Sequence, residues 1–397
     1  MGAYVLEWVS LLIRWFHFVA GVAWIGTSFY FVWLDNHLVK PSDYEDRGRG
    51  ISGELWSVHG GGFYHNQKYL TGPTDAPLTE DLHWFKWEAY STWISGMLML
   101  ALVYWVGAGT FLVDRSVLDL TPGVAVAMSA GVLLAGWLIY DGLCRALVKR
   151  PLVLSISIYG MLVLAAWALF HVFSARAAYI HVGSIIGTIM VANVFLVIIP
   201  GQRKMVAQIR AGQAPDPRPG IAAKTRSVHN TYLTLPVLFI MISNHYPMTY
   251  ANAYGWIVLA AIGLAGVLVR YFFILTHKGR IVPALPIAAA VVLAAVAFAI
   301  APRPISGEHA AIAFARVGPV FAQRCAVCHS VHPTRAGFTA PPSGVLLDSP
   351  AHIAANAQRV YQQAVATSAM PLGNVTGMTS RERALVGAWI AGGAGER

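Results

Sequence analysis

Arg324-Cys325-Ala326-Val327-Cys328-His329 carries two thiols three positions apart, followed at once by an imidazole. This C-x-x-C-H spacing lets each thiol form a thioether to one vinyl group of a haem while the adjacent histidine reaches the iron. A zinc site on the same cysteines needs a second ligand pair, and none is nearby. Haem c is therefore the expected cofactor, held by Cys325, Cys328 and His329. The opposite axial ligand is expected from Met370, in Ser368-Ala369-Met370-Pro371-Leu372-Gly373-Asn374, because Pro371 and Gly373 predict an irregular loop there. Met378 and His352 compete for that role. A thioether opposite histidine raises the reduction potential, which suits a carrier that passes electrons to an oxidase.

The elements that must hold this motif are short. A helix is expected from Thr379, where Thr379 and Glu382 form a capping box, through Leu385, Trp389 and Ile390 to Gly392-Gly393. Its apolar face should pack on a helix containing Val317, Val320 and Phe321. The chain from Ile305 to Arg397 is long enough for a small cytochrome c domain, since a covalent haem supplies much of the core.

The rest of the chain is of another kind. Apolar residues make up 56% and charged residues 12%, with mean hydropathy +0.57, a composition outside the range of soluble domains. Eight membrane spans are expected, at 9–34, 89–109, 122–140, 152–173, 177–200, 230–246, 253–275 and 281–300. Pro236 should extend or kink the sixth. The first is too long for a cleavable signal and contains Arg14 and His17. A proline linker at 301–304 separates a membrane domain, 1–300, from a C-terminal domain, 305–397. The expected fold is all-α: an eight-transmembrane-helix bundle followed by a small all-α class I-like cytochrome c domain.

Sixteen Lys and Arg lie after the first, third, fifth and seventh spans, against only Arg115 and Arg176 in the opposite loops. The positive-inside rule puts the basic side in the cytoplasm and the cytochrome outside, the face on which haem c is attached. The net charge of +10 is thus mostly a topology signal, and no nucleic-acid partner is needed to explain it. Cys144, without a partner, reads as a buried thiol.

Ionisable residues inside spans are costly and usually functional. His17, His171, His181 and His245 fall in or near the outer halves of spans and are candidate ligands of a haem b held between helices. Hydrogen bonding between helices explains the same residues. Gly183 and Gly187, near His181, would admit a macrocycle or simply a neighbouring helix. Arg14 and Arg270 are the Lys or Arg within spans; Arg14 suits an anion, whereas Arg270 near the inner end is placed to snorkel. Between the first two spans, Leu55 to His65 is rich in aromatics and glycines. His59, His65, Lys86 and Glu88 there, with Arg14, are candidate acid, base or anion-binding groups; a re-entrant structural loop accounts for them equally.

Several stretches together resemble the bacterial membrane-bound urate oxidases, also called urate hydroxylases of the PuuD type. These are Gly53-Glu54-Leu55-Trp56 with His59-Gly60-Gly61-Gly62-Phe63-Tyr64, Trp84-Phe85-Lys86-Trp87-Glu88-Ala89-Tyr90, Asn230-Thr231-Tyr232-Leu233-Thr234-Leu235-Pro236 with Ser243-Asn244-His245-Tyr246, and Met370-Pro371-Leu372-Gly373-Asn374. The resemblance covers essentially the whole chain. It implies a multi-pass protein of the bacterial inner membrane with its cytochrome in the periplasm. It further implies oxidation of urate to 5-hydroxyisourate, with electrons passing to the cytochrome and on to a terminal oxidase or soluble cytochrome c, without hydrogen peroxide. It does not assign catalytic residues, and self-association as a homo-oligomer stays open. Among other classes, a haem-copper-like respiratory subunit would need the adjacent histidines of a copper site, and no span contains them. A quinol-to-cytochrome carrier fits the helices and histidines as well, and a transporter or membrane anchor with a passenger cytochrome is the non-enzymatic alternative.

Overall fold

A computed structural model describes residues 2–73, 77–301 and 312–395. The expected linker at 301–304 lies outside the described residues except for Ala301, as does the start of the C-terminal unit up to residue 311.

Long apolar runs fold as helices because, away from water, only a helix satisfies its own backbone. The first helix, α1, is Gly2–His37. Next, α2 runs Trp87–Leu100 and continues as a π-helical turn, Ala101–Trp105. Both α3, Pro122–Ala146, and α4, Pro151–Phe170, open on a proline, whose missing N–H would have had no helical partner there. Helix α5, Ala175–Ala192, passes through a second π-helical segment, Asn193–Ile198, into α6, Ile199–Arg210. Then follow α7, Pro217–Ser243, α8, Gly255–His277, and α9, Ala284–Ala299.

Among the described residues, five helices are long and apolar enough to cross a membrane: Tyr4–His37, Pro122–Ala146, Pro151–Phe170, Ala175–Arg210 and Gly255–His277. The other three expected spans depart from a plain apolar helix. The π turn interrupts the α2 segment, α7 includes Arg218, Lys224, Arg226 and the internal Pro236, and α9 has only 16 residues.

Helix α5 is central: Tyr179, His181, Ile186 and Ile189 are fully buried. Tyr4, Trp8, Leu11, Trp15 and Phe18 of α1 are exposed, as side chains facing lipid would be. Close helix contact explains one of the glycines beside His181. A Cβ at Gly183 would lie 2.5 Å from Ile240 Cγ2 of α7, so a neighbouring helix and not a macrocycle fills that space.

The segment between α1 and α2 corrects the all-α expectation. Strands β1, Ile51–His59, and β2, Gly62–Tyr69, form an antiparallel hairpin. Gly60 and Gly61 turn it with φ of +59° and +80°, the left-handed pair that a two-residue hairpin requires. Trp56 stacks on His65 with centroids 4.2 Å apart, and His65 Nε2 lies 2.8 Å from Glu54 Oε2.

The C-terminal unit contains α10, Phe314–Arg324, and α11, Ser380–Ala391. The Thr379 hydroxyl accepts from the Glu382 amide, and Glu382 accepts in return from the Thr379 amide, which is the expected capping box. Phe321 and Trp389 meet edge to face at 5.7 Å in a core shared with Val317, Val320, Ile353 and Val386.

The loop around Met370 seats this unit on the helical bundle. The Ser368 amide donates to Ala251 O at 3.0 Å, and Ala369 packs against the core of the bundle. Gly373, with φ of +54°, sits so close to Thr110 and Val113 that a Cβ would lie 2.7 and 2.9 Å from their carbonyl oxygens. This is the docked end of the bundle; the opposite, basic end carries the hairpin and α6.

Candidate functional site

In the C-terminal unit, Cys325, Cys328 and His329 lie on the turn that follows α10. His329 Nδ1 donates to Val345 O at 3.0 Å, which fixes the ring and leaves Nε2 free to bind a metal. Burial pushes the Cys325 thiol up to about 12, and raises that of Cys328. Free thiols so held are poor nucleophiles, and a thioether removes the ionisation altogether. Met370 packs against the same core, with its carbonyl accepting from Arg383 Nη1 at 2.6 Å. Met378 is a buried core residue, while His352 is exposed and paired with Asp348 at 2.7 Å. Two thiols, a free imidazole nitrogen and a thioether form a donor set that fits haem c.

Directly beneath the docked loop is a polar centre inside the bundle. The π turn of α2 places Tyr104, 4% exposed, with its hydroxyl unpaired. A buried hydroxyl without a partner loses its hydration for no return, so it marks a place where another group belongs. Its polar neighbours are Arg176 and Asn244, within electrostatic reach but outside hydrogen-bonding geometry, and Arg14 contributes positive charge. Arg176 Nε donates to Asn244 Oδ1 at 3.0 Å, leaving the amide nitrogen of Asn244 as a further donor. Tyr250 adjoins Arg176 as well, next to the Ala251 carbonyl that receives the docked loop.

Behind Tyr104, Trp105 Nε1 donates to Ser129 Oγ at 2.8 Å, and Ser129 Oγ lies 2.6 Å from His181 Nε2. His181 Nδ1 lies 2.8 Å from Ala177 O. Since indole only donates and a carbonyl only accepts, the chain runs one way: Trp105 to Ser129, Ser129 to His181, and His181 Nδ1–H to Ala177. Ser129→Ala would strand both an indole N–H and an imidazole nitrogen. It is expected to destabilise the protein by about 2 kcal/mol, read as a lower melting temperature in detergent with haem c content unchanged.

The four candidate haem b histidines are not brought together. His181 has both ring nitrogens occupied. His17 meets Thr92 O and Ser95 Oγ, each at 3.0 Å from Nδ1, against Gly96. His17 lies against Gly96 and His181 beside Tyr104, eight residues and about 12 Å apart along α2. His171 and His245 are exposed. Among the described residues no hydrogen bond or ring contact joins any two of these four.

The candidate catalytic residues are likewise dispersed. His59 and His65 lie on the exposed hairpin, Lys86 and Glu88 at the start of α2, and Arg14, bonded to Ser10 Oγ at 3.2 Å, near the docked end. Arg270 does not snorkel. It is 5% exposed, stacked over Phe29 at 4.1 Å, with Nε and Nη2 unpaired.

A second polar network, at the basic end, falls on residues whose types gave little signal. Arg226 Nη2 pairs with Asp141 Oδ1 at 2.5 Å and Nη1 with Asn193 Oδ1 at 3.3 Å. Asn193 Nδ2 donates to Tyr140 Oη and to Asn230 Oδ1, and Tyr140 Oη lies 2.8 Å from His229 Nδ1. Cys144 Sγ is 3.8 Å from the same nitrogen. Helices α3, α5 and α7 thus contribute to both centres, and each centre contains a π-helical segment, a feature concentrated at functional sites. The sequence pointer to both lay in the polar residues of α7 and its end, Asn230 and Asn244.

The Urate oxidase N-terminal family matches residues 3–301, the bundle with both polar centres. Neither the curated proteins nor the solved structures give a match. Covering three quarters of the sequence, the family match establishes that the chain belongs to the urate oxidase N-terminal family.

Proposed function

We propose that the protein oxidises urate to 5-hydroxyisourate at the docked-end centre and passes the electrons to a haem c carried by its own C-terminal unit. The observation that carries this reading is the seating of the Met370 loop. The segment from Ser368 to Gly373 rests on Thr110, Val113 and Ala251, the rim of the centre that contains Tyr104, Arg176, Asn244 and Tyr250. An electron leaving a ligand in that centre has the shortest exit through this contact.

The overall change is balanced by water: urate and one water give 5-hydroxyisourate, two protons and two electrons. The new oxygen comes from water, and because the two electrons go to the haem and not to dioxygen, no hydrogen peroxide forms. Arg176 holds the urate anion, the Asn244 amide donates to a ring carbonyl, and the unpaired Tyr104 hydroxyl takes a hydrogen bond with the purine edge. Haem c, bound through Cys325, Cys328, His329 and Met370, supplies a one-electron acceptor, so each urate needs it twice. The final acceptor is a terminal oxidase or soluble cytochrome c. In the cell the bundle spans the bacterial inner membrane with its basic end in the cytoplasm and the C-terminal unit in the periplasm.

The test is the visible spectrum of anaerobic, oxidised protein before and after urate. Urate should reduce the c-type band without dithionite. Reduction by dithionite but not by urate would reject this reading in favour of a quinol-fed carrier.

A further inference from the structure

The basic end holds a cleft that urate oxidation at the docked end does not use. Its volume is about 410 Å³, and it opens between α3, α6 and α7. Arg145, Lys204 and Arg226 supply three positive charges, and Asp141 the single carboxylate. Both oxygens of that carboxylate are taken, Oδ1 by Arg226 at 2.5 Å and Oδ2 by Arg145 at 2.7 Å. Lys204 has no ion pair among the described residues, so the cleft keeps a net charge of two positive.

The site is built and not merely a solvated basic face. Arg226 is 6% exposed and fixed by Asp141, Asn193 and the faces of Tyr140 and Trp137. Arg145 and Lys204 stand at its mouth, exposed. The other wall is apolar, formed by Leu196, Val197 and Pro200. The π-helical segment that begins at Asn193 presents Leu196 outward, 51% exposed.

We infer that this cleft binds a phosphate oxyanion, with Arg145, Lys204 and Arg226 around the phosphate and the Leu196 wall beside what it is esterified to. An anionic phospholipid meets both halves of that description. Basic pockets between membrane helices bind such headgroups, and this one lies at the end where they would be found. Free inorganic phosphate shares the headgroup chemistry and lacks only the apolar part. Urate is the poorer occupant, because Tyr140 lies eleven residues along α3 from Ser129, about 16 Å farther from the Met370 loop. The inference does not depend on what the docked end oxidises.

The experiment uses the full chain in detergent, delipidated and then offered phosphatidylglycerol, phosphatidylcholine or inorganic phosphate, with bound species counted by native mass spectrometry. One phosphatidylglycerol should be retained by the wild type and lost from the Arg145→Gln/Lys204→Gln variant, with phosphatidylcholine retained by neither. Phosphate that binds and displaces the lipid would place the headgroup in the cleft; phosphate that binds while the lipid does not would make the ligand a soluble one. Retention undiminished in the double variant, or no binding of either anion, would overturn the inference. Haem reduction by urate, measured in the same variant, should be unchanged. Loss of that reduction with anion binding intact would instead identify the basic end as part of the oxidation site.

Discussion

Replacement of Arg176 by methionine is expected to lower kcat/KM for urate-dependent haem reduction by about 100-fold or more. A half-buried cation that meets an anionic substrate is worth on the order of 3 kcal/mol when truncated. The side chain is placed for this role by its bond to Asn244 and by Phe111, over which its guanidinium lies at 5.9 Å. The loss should appear mainly in KM if Arg176 only holds the anion, and in kcat as well if it stabilises charge that grows during oxidation. Tyr104→Phe provides the graded comparison, because it removes one neutral hydrogen bond and leaves the cation. A loss of about tenfold follows from a single such bond. Dithionite reduction of the haem should be normal in both variants. Urate kinetics unchanged in Arg176→Met would place the substrate elsewhere.

The second large effect is expected from Gly373→Ala. A Cβ at this position meets two backbone carbonyls of the bundle, Thr110 O at 2.7 Å and Val113 O at 2.9 Å, and neither can rotate away as a side chain would. Overpacking of this kind costs about 1–3 kcal/mol, enough to shift the docked population by roughly 5-fold to 150-fold. Electron transfer from urate to the haem should slow accordingly, with urate affinity and haem c content retained. The left-handed φ of +54° adds strain within the loop, so reduction by dithionite and the haem spectrum are the controls for damage to the Met370 loop itself. If docking is irrelevant to electron transfer, the variant will turn over urate at the wild-type rate.

The two substitutions separate the parts of the mechanism. Arg176→Met acts on the substrate before any electron moves, whereas Gly373→Ala acts on the path after oxidation has begun. Their combination should show the substrate defect alone limiting at low urate and the transfer defect at high urate.

The haem-attachment spacing was legible in the sequence because it is a local pattern: Cys325, Cys328 and His329 occupy one turn whatever the remainder does. The capping box at Thr379 and Glu382, and the pairing of Val317, Val320 and Phe321 with Trp389, were legible for the same reason, one from short-range hydrogen bonding and the other from helical periodicity. Apolar composition likewise marked the first three hundred residues as helices able to cross a membrane. Of the eight spans so marked, five are helices long and apolar enough to cross, while the α2 segment is interrupted by a π turn, α7 carries charged residues and α9 is short. The hairpin was missed as a strand pair, since glycine and aromatic content shows order without giving cross-strand register.

What only the tertiary structure decided is which polar residues share a place. Histidine is conspicuous in a span, so sequence reasoning gathered His17, His171, His181 and His245. Folding puts His181 against Ser129, His17 against Thr92 and Ser95, and the other two at exposed positions. Tyr104, Arg176 and Asn244 come from three distant parts of the chain and converge because the helices that carry them pack at the docked end. Composition and spacing describe one helix at a time, while a site inside a bundle is set by the relative rotation and depth of several. For that reason the sequence determined the C-x-x-C-H motif and the helical, apolar character of the domain that precedes it, and the packing of α2, α5 and α7 determined which polar residues meet inside the bundle.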